Sequence, residues 1–250
     1  MNVGALDTLT RHLMNNDDHQ TGRILTRREA LALLGGAAML ASGVPLRSSI
    51  AQTLPSCVVT PEQTEGPFFT DVRLNRSDIR SDPTDKSAKE GVPLNLILRV
   101  SAVGSSGCTP LAGAMVDVWH CDASGMYSDS GGATAGKKFL RGHQVTDGNG
   151  AMRFTTIYPG WYPGRAVHIH FKVRILAGPA LGNEMTSQLY FDEAVTDRVL
   201  AHAPYSTHSK RTQRNSEDGL FRRNGSRLML ALTEAGTGYA GEFHVGLKIS

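Results

Sequence analysis

The chain has 250 residues, with 26 Lys and Arg against 23 Asp and Glu and a formal net charge of +3. That length allows one large domain plus a leader. The nearly balanced charge, with no basic block interleaved with aromatics, excludes a nucleic-acid-binding surface.

The leader comes first. Thr26-Arg27-Arg28-Glu29-Ala30-Leu31 is a twin-arginine pattern, an apolar run from Ala30 to Val44 follows, and Ser49-Ile50-Ala51 supplies the small residues of a signal-peptidase site. The run of about 15 residues is too short to span a bilayer comfortably, and Gly35, Gly36 and Gly43 weaken it as a buried helix. Residues 1–51 are therefore expected to be a twin-arginine export signal cleaved after Ala51, leaving an exported protein with no stable membrane span. Before residue 52 stand five Lys and Arg against four Asp and Glu, so the mature chain carries about +2.

Short strands follow. Pro93 to Val103 is an apolar strand, Ala114–Trp119 is a second, and Asp147-Gly148-Asn149-Gly150 is a strong turn leading into Met152–Ile157. Strands are also predicted around His168, at Gln188–Phe191 and at Arg227–Leu232. Phe243, Val245, Leu247 and Ile249 alternate cleanly at the end. A short helix is expected over Asp192 to Ala201. Asp78 to Lys89 reads as a mixed-charge solvated loop, and Ser206 to Asn224 as a polar, basic surface excursion. Many short strands joined by turns predict an all-β chain, a β-sandwich with long connecting loops. Of three cysteines, Cys108 and Cys121 flank one strand and stand too far apart to bond if it is extended. Cys57 is then expected to pair with one of them, which an exported protein permits.

The chemistry concentrates in Trp161-Tyr162-Pro163-Gly164-Arg165-Ala166-Val167-His168-Ile169-His170-Phe171, downstream of Gly125-Met126-Tyr127-Ser128. Val167, Ile169, Phe171 and Val173 alternate with His168, His170 and Lys172, so the segment is a strand that projects both histidines from one face. Residues i and i+2 on a strand face lie roughly 6.5–7 Å apart, within reach of one metal ion. Imidazole suits several metals, whereas phenolate is a hard anionic donor. Two imidazoles with Tyr127 and Tyr162 therefore favour iron(III). His120 and His143 have no partner at ligand spacing. His120 reads as packing, His143 as hydrogen-bonded or solvated, and Trp119 as core.

These stretches resemble the intradiol ring-cleavage dioxygenases, the catechol, hydroxyquinol and protocatechuate enzymes. The resemblance runs over roughly residues 57–195. It is carried by Thr60-Pro61-Glu62-Gln63-Thr64-Glu65-Gly66-Pro67-Phe68-Phe69, by Val116 to Ser128, by Phe139-Leu140-Arg141-Gly142, by Thr146 to Gly150, by Phe154-Thr155-Thr156-Ile157, and by the tyrosine–histidine segment. It implies an arm over residues 52–90 packing near the active site, and a catalytic β-sandwich over 91–250. It further implies Fe(3+) held by Tyr127 and His168 as equatorial ligands and by Tyr162 and His170 as axial ones. Arg165 matches an arginine facing the aromatic ring, and Gln188 a polar residue over the oxygen-binding side. Thr64, Gly66 and Pro67 match a segment near the substrate, and Trp161 is a candidate pocket wall. The implied reaction joins a small aromatic diol to O2, opens the ring between the hydroxylated carbons and gives a cis,cis-muconate-type diacid, with Tyr162 accepting a catechol proton.

The loop between Tyr162 and Arg165 is only Pro163-Gly164, as in secreted single-domain members of the family. The long helical dimerisation segment of catechol dioxygenases is missing, so oligomeric state stays open, as does the particular catechol. Two other classes compete: a copper or zinc His-x-His enzyme, and a secreted β-sandwich binding module without metal.

Overall fold

The computed structural model describes residues 57–178, 181–208 and 210–249. The predicted leader lies outside these residues. The described part is a sandwich of two sheets. The first contains β1 (Pro93–Gly104), β2 (Gly107–Pro110), β5 (Ala151–Ile157), β8 (Ala231–Ala235) and β9 (Gly238–Lys248). The second runs in the order β4 (Arg141–Val145), β3 (Met115–Trp119), β6 (His168–Arg174), β7 (Glu184–Tyr190). Pairing is antiparallel except between β1 and β9. One edge of β1 is shared, first by β5 and then by β2.

Alternation explains the core. Leu94, Leu96, Leu98 and Val100 fall at period two along β1 and are fully buried. They meet Val116 and Val118 of β3, Ile169, Phe171 and Val173 of β6, and Phe243, Val245 and Leu247 of β9 in one cluster. The rings of Phe171 and Phe243 join the sheets at 6.4 Å between centroids. The Asp147 turn forms as predicted. Asp147 Oδ1 accepts the Asn149 and Ala151 amides, and Gly150 has φ +71 where a Cβ would stand 2.3 Å from the Val100 carbonyl oxygen. The expected helix is α1 (Glu193–Leu200), with Asp192 accepting the amides of Ala194 and Val195 as its N-cap. A second helix, α2 (Gly219–Asn224), lies inside the predicted surface excursion. Among the described residues no helix is long and apolar enough to cross a membrane.

Several expectations need correction. Strands β2 and β4 were not predicted. Arg227–Leu232 is not one strand. Gly225–Arg227 is a 3-10 turn, and Leu228 and Leu230 exchange backbone hydrogen bonds with Tyr190 of β7 before β8 begins in the other sheet. The segment thus passes from one sheet to the other. Asp78–Lys89 is not simply solvated: Ile79 and Asp82 are fully buried, and Arg76 ties the region down by donating to the carbonyls of Ser81, Lys138 and Arg141. Cys57 pairs with Cys108, tying the start of the arm to β2. Cys121 is free and buried, its thiol donating to the Gly160 carbonyl at 3.4 Å, and burial pushes its pKa up.

His120 does more than pack, and it sits between the sheets. Its Nδ1–H donates to the Cys121 carbonyl at 2.8 Å, so its Nε2 accepts from the Thr156 hydroxyl at 2.7 Å. His143 is buried with its Nδ1 unpartnered, so that atom is neither hydrogen-bonded nor solvated. Burial holds the His120 pKa at about 4, against 6.5 for an ordinary histidine. An unfolded chain binds this proton near pH 6.5, and the folded chain resists it until about 4. Stability from this group is therefore intact above pH 6.5 and lost as pH falls toward 4, by about 3 kcal/mol. Denaturant melts across that window should show the loss, and His120→Gln should make it shallower by about that amount, since the buried His168 and His170 imidazoles add losses of the same sign. An equal slope in the variant would refute the assignment.

Candidate metal centre

Strand β6 is buried on both faces. Ile169, Phe171 and Val173 enter the sandwich core, while His168, His170, Lys172 and Arg174 share the opposite face. The two Nε2 atoms lie 3.0 Å apart. Tyr127 Oη is 3.4 Å and Tyr162 Oη 3.3 Å from His168 Nε2. The Nδ1–H of His168 donates to the Ala166 carbonyl at 2.6 Å, which leaves the Nε2 lone pair directed at this convergence. His170 stacks on Trp119, with centroids 4.8 Å apart and planes 6° from parallel. Its Nδ1 is buried without a partner.

Two glycines bring the tyrosine loops together. The turn Asp122–Met126 is closed by Asp122 Oδ1, which accepts the amides of Ser124 and Met126. At Gly125 (φ +82) a Cβ would stand 2.2 Å from the Trp161 carbonyl oxygen. At Gly160 it would stand 2.4 Å from the Asp122 carbonyl oxygen. The loops bearing Tyr127 and Tyr162 thus touch backbone to backbone, as only glycine allows. Buried Arg141 then fixes Tyr127 from behind. Its guanidinium donates to the Ser128 carbonyl at 2.5 Å, to Ser128 Oγ at 2.7 Å and to the Phe68 carbonyl at 2.6 Å. Burial lowers its pKa to about 10, so it remains a cation at neutral pH.

The arm closes over this cluster. Phe68 stacks on Tyr127 at 4.4 Å and meets the Tyr162 ring edge-on at 5.9 Å. A Cβ at Gly66 would lie 3.6 Å from the His170 ring. The Thr64 carbonyl accepts from Gln188 Nε2 at 3.0 Å, while Pro67 is exposed. Trp161 packs in the main sandwich core, its ring 4.5 Å from that of His208.

Arg165 is no ordinary surface arginine, with its side chain 17% exposed. Its Nε donates to Asp218 Oδ2 at 2.9 Å and its Nη2 to Gln188 Oε1 at 2.5 Å and Tyr190 Oη at 3.2 Å. Nη1 is left 3.5 Å from His168 Nε2, facing the convergence. Gln188 and Tyr190 stand opposite His170 and His168 in the β6–β7 register.

The predicted ligands Tyr127, Tyr162, His168 and His170 therefore meet at one point, with Arg165 and Gln188 beside them. Phe68, Arg141, Tyr190 and Asp218 were not predicted as site residues. Tyr190 could have been found, because it follows Gln188 at period two just as His170 follows His168. Asp218 could not, because it sits in a polar segment without periodicity.

Electrostatics fit a cation. Burial holds the pKa of both histidines well below the usual range, with Arg165 adding to the effect, so both imidazoles are neutral donors. Burial raises Tyr127 well above the ordinary phenol value, and lifts Tyr162 to about 12 against the pull of Arg165. Both phenols ionise readily only if a positive charge arrives at the oxygens. Donors roughly 2.0–2.1 Å from a shared ion stand about 3 Å apart, close to the separations found here. Among the described residues no three His, Cys, Asp or Glu side chains form a metal cluster, so the tyrosines are essential to this donor set.

A family model described as dioxygenase matches residues 64–221. The protocatechuate 3,4-dioxygenase beta chain of Burkholderia cepacia is 33% identical over 179 residues, covering 67% of this chain and 71% of its own. The intradiol ring-cleavage dioxygenase of Tetranychus urticae superposes with a TM-score of 0.64 at 32% identity, over 77% of this chain and 94% of that one. The dioxygenase domain of a carbohydrate-binding fusion from Streptomyces sp. SirexAA-E gives 0.57 at 30% identity, over 77% and 100%. Fold and matches define an oxidoreductase of the dioxygenase class. The chain belongs to the intradiol ring-cleavage dioxygenase family.

The contact between the tyrosine loops is directly testable. Gly125→Ala should cost about 3 kcal/mol of stability, from left-handed strain together with the clash on Trp161. It should also lower metal uptake by separating Tyr127 from Tyr162. A variant that melts like the wild type and binds metal normally would refute this account.

Proposed function

We propose that this chain is an exported, iron(III)-dependent dioxygenase. It cleaves catechol-type rings between the two hydroxylated carbons with O2, giving cis,cis-muconate-type diacids. The observation that carries the reading is the convergence of two phenols and two neutral imidazoles beside a fixed guanidinium, in a chain of this family. Tyr127, Tyr162, His168 and His170 would hold the metal. When bound, iron(III) supplies a Lewis acid that chelates two adjacent oxygens and draws electron density from the ring.

The protein's own residues divide the remaining work. Tyr127 is buried, stacked under Phe68 and followed by Ser128, which Arg141 grips, so it is the fixed phenol. Tyr162 is only half-buried and precedes the exposed pair Pro163-Gly164. It is the phenol with room to move, and its oxygen is suited to accept a hydroxyl proton from the substrate. Arg165 cannot lose its proton, and its Nη1 faces the same space, where it can stabilise negative charge on the ring. Gln188 holds Arg165 and the arm at once. Phe68 and Gly66 cover the cluster and restrict water. Export is supported by the leader pattern and by the Cys57–Cys108 disulfide, a bond favoured in oxidising compartments.

The visible spectrum of iron-loaded protein tests this. A tyrosinate charge-transfer band should colour it red-brown and move to longer wavelength when catechol is added anaerobically. Tyr162→Phe should retain the fold and lose turnover on the order of 100-fold. A colourless protein holding zinc or copper would overturn the reading.

A further inference from the structure

We propose that Asp218 is a positioning residue that aims both Arg165 and His168 at the reaction site. The inference rests on the functional reading above. Asp218 is 1% exposed, and its carboxylate accepts four hydrogen bonds from two segments of the chain. Oδ1 accepts the amides of Leu220 at 2.7 Å and Phe221 at 3.2 Å, capping α2. Oδ2 accepts Arg165 Nε at 2.9 Å and the Ala166 amide at 2.8 Å. Ala166 in turn takes the His168 Nδ1–H on its carbonyl at 2.6 Å.

Two branches leave this one oxygen. The first fixes the guanidinium. With Nε held by Asp218 and Nη2 by Gln188 and Tyr190, rotation about the long side chain is removed, and Nη1 is the edge that faces the metal ligands. A planar guanidinium held by Nε and Nη2 has only one orientation. The second branch runs through Ala166 and fixes the His168 ring, and with it the direction of the Nε2 lone pair. A residue that served only as a helix cap would need Oδ1 alone. Asp192 shows this, since one of its oxygens, Oδ1, accepts both amides at the start of α1.

The decisive variant is Asp218→Asn in the full chain. Asparagine keeps a capping oxygen but offers an NH2 in place of the second acceptor. The folded, iron-loaded variant should keep its iron and its tyrosinate band, lose kcat by about 10–100-fold and change KM by no more than about threefold. In metal-free protein, the Arg165 Nε–H should exchange slowly in the wild type and rapidly in the variant. Asp192→Ala, which removes only a cap, should lower the melting temperature and leave kcat unchanged. An Asp218→Asn protein with kcat within about twofold of wild type, or with a protected Nε–H, overturns the inference. If that variant does not fold, Asp218→Ser replaces it: serine keeps a capping oxygen for α2 but removes the acceptor of Arg165 Nε, and the same fall in kcat at full iron occupancy is required. A wild type without the band refutes the ferric reading itself. A coloured wild type with a fully active Asp218→Asn refutes only the role of Asp218.

Discussion

Strand His168–Arg174 must satisfy two environments at once, and its period of two divides its side chains between them. Three apolar residues close the sandwich on one side. On the other side the same strand offers, in order, two ligand-type histidines and two cations. Because successive Cβ atoms alternate, the hydrophobic register that fixes the core also fixes both imidazoles. A slip of one residue would bury Lys172 and Arg174 in the core and turn both histidines away. Core stability and site geometry thus rest on one constraint.

The two cations extend that logic to the arm. Lys172 lies between Glu65 and Glu184 and 4.8 Å from the Phe69 ring, and Arg174 bridges Asp71 and Asp117. Asp71 is held below its usual pKa, first by its hydrogen bond to Arg174. For Asp117 burial outweighs the same arginine, and the net shift is upward. Most of these groups are partly exposed, and pairs of that kind contribute only about 0–1 kcal/mol each. Their value is in register. Glu65 and Asp71 bracket Gly66 and Phe68, so the pairs decide which arm residues come to rest on His170 and Tyr127.

A cluster of buried, uncharged polar donors is costly in a small sandwich. The Nδ1 of His170 and the Nε1 of Trp119 are both buried without partners, and each unpaired group costs roughly 1–3 kcal/mol. The aromatic shell offsets part of this, because the rings of Phe68, Trp119, Tyr127 and His170 stack in pairs. The same shell lowers the local dielectric. Imidazoles therefore stay neutral, phenols stay protonated, and only an arriving cation can reverse the second condition.

The local pattern of the sequence was sufficient for the strands with clear alternation, for the Asp147 turn, for the helix capped by Asp192 and for the four ligand-type residues. Each is encoded within a few neighbouring positions, by period, by turn chemistry or by residue type. Cys57 was narrowed to two partners, and only the fold chose Cys108. Strand β2 escaped because it has only four residues, and β4 because it carries Arg141, Gly142 and His143 where alternation should show. Arg141 and Asp218 escaped for a different reason. Their roles depend on partners 73 residues away at Phe68 and 53 away at Arg165, and no local rule couples such distances. The sequence by itself determined which donor atoms were available and, for the two histidines, on which strand face they stood. Tertiary packing alone decided that they would converge, because convergence depends on backbone contacts between loops remote in the chain and on charges buried where those loops meet.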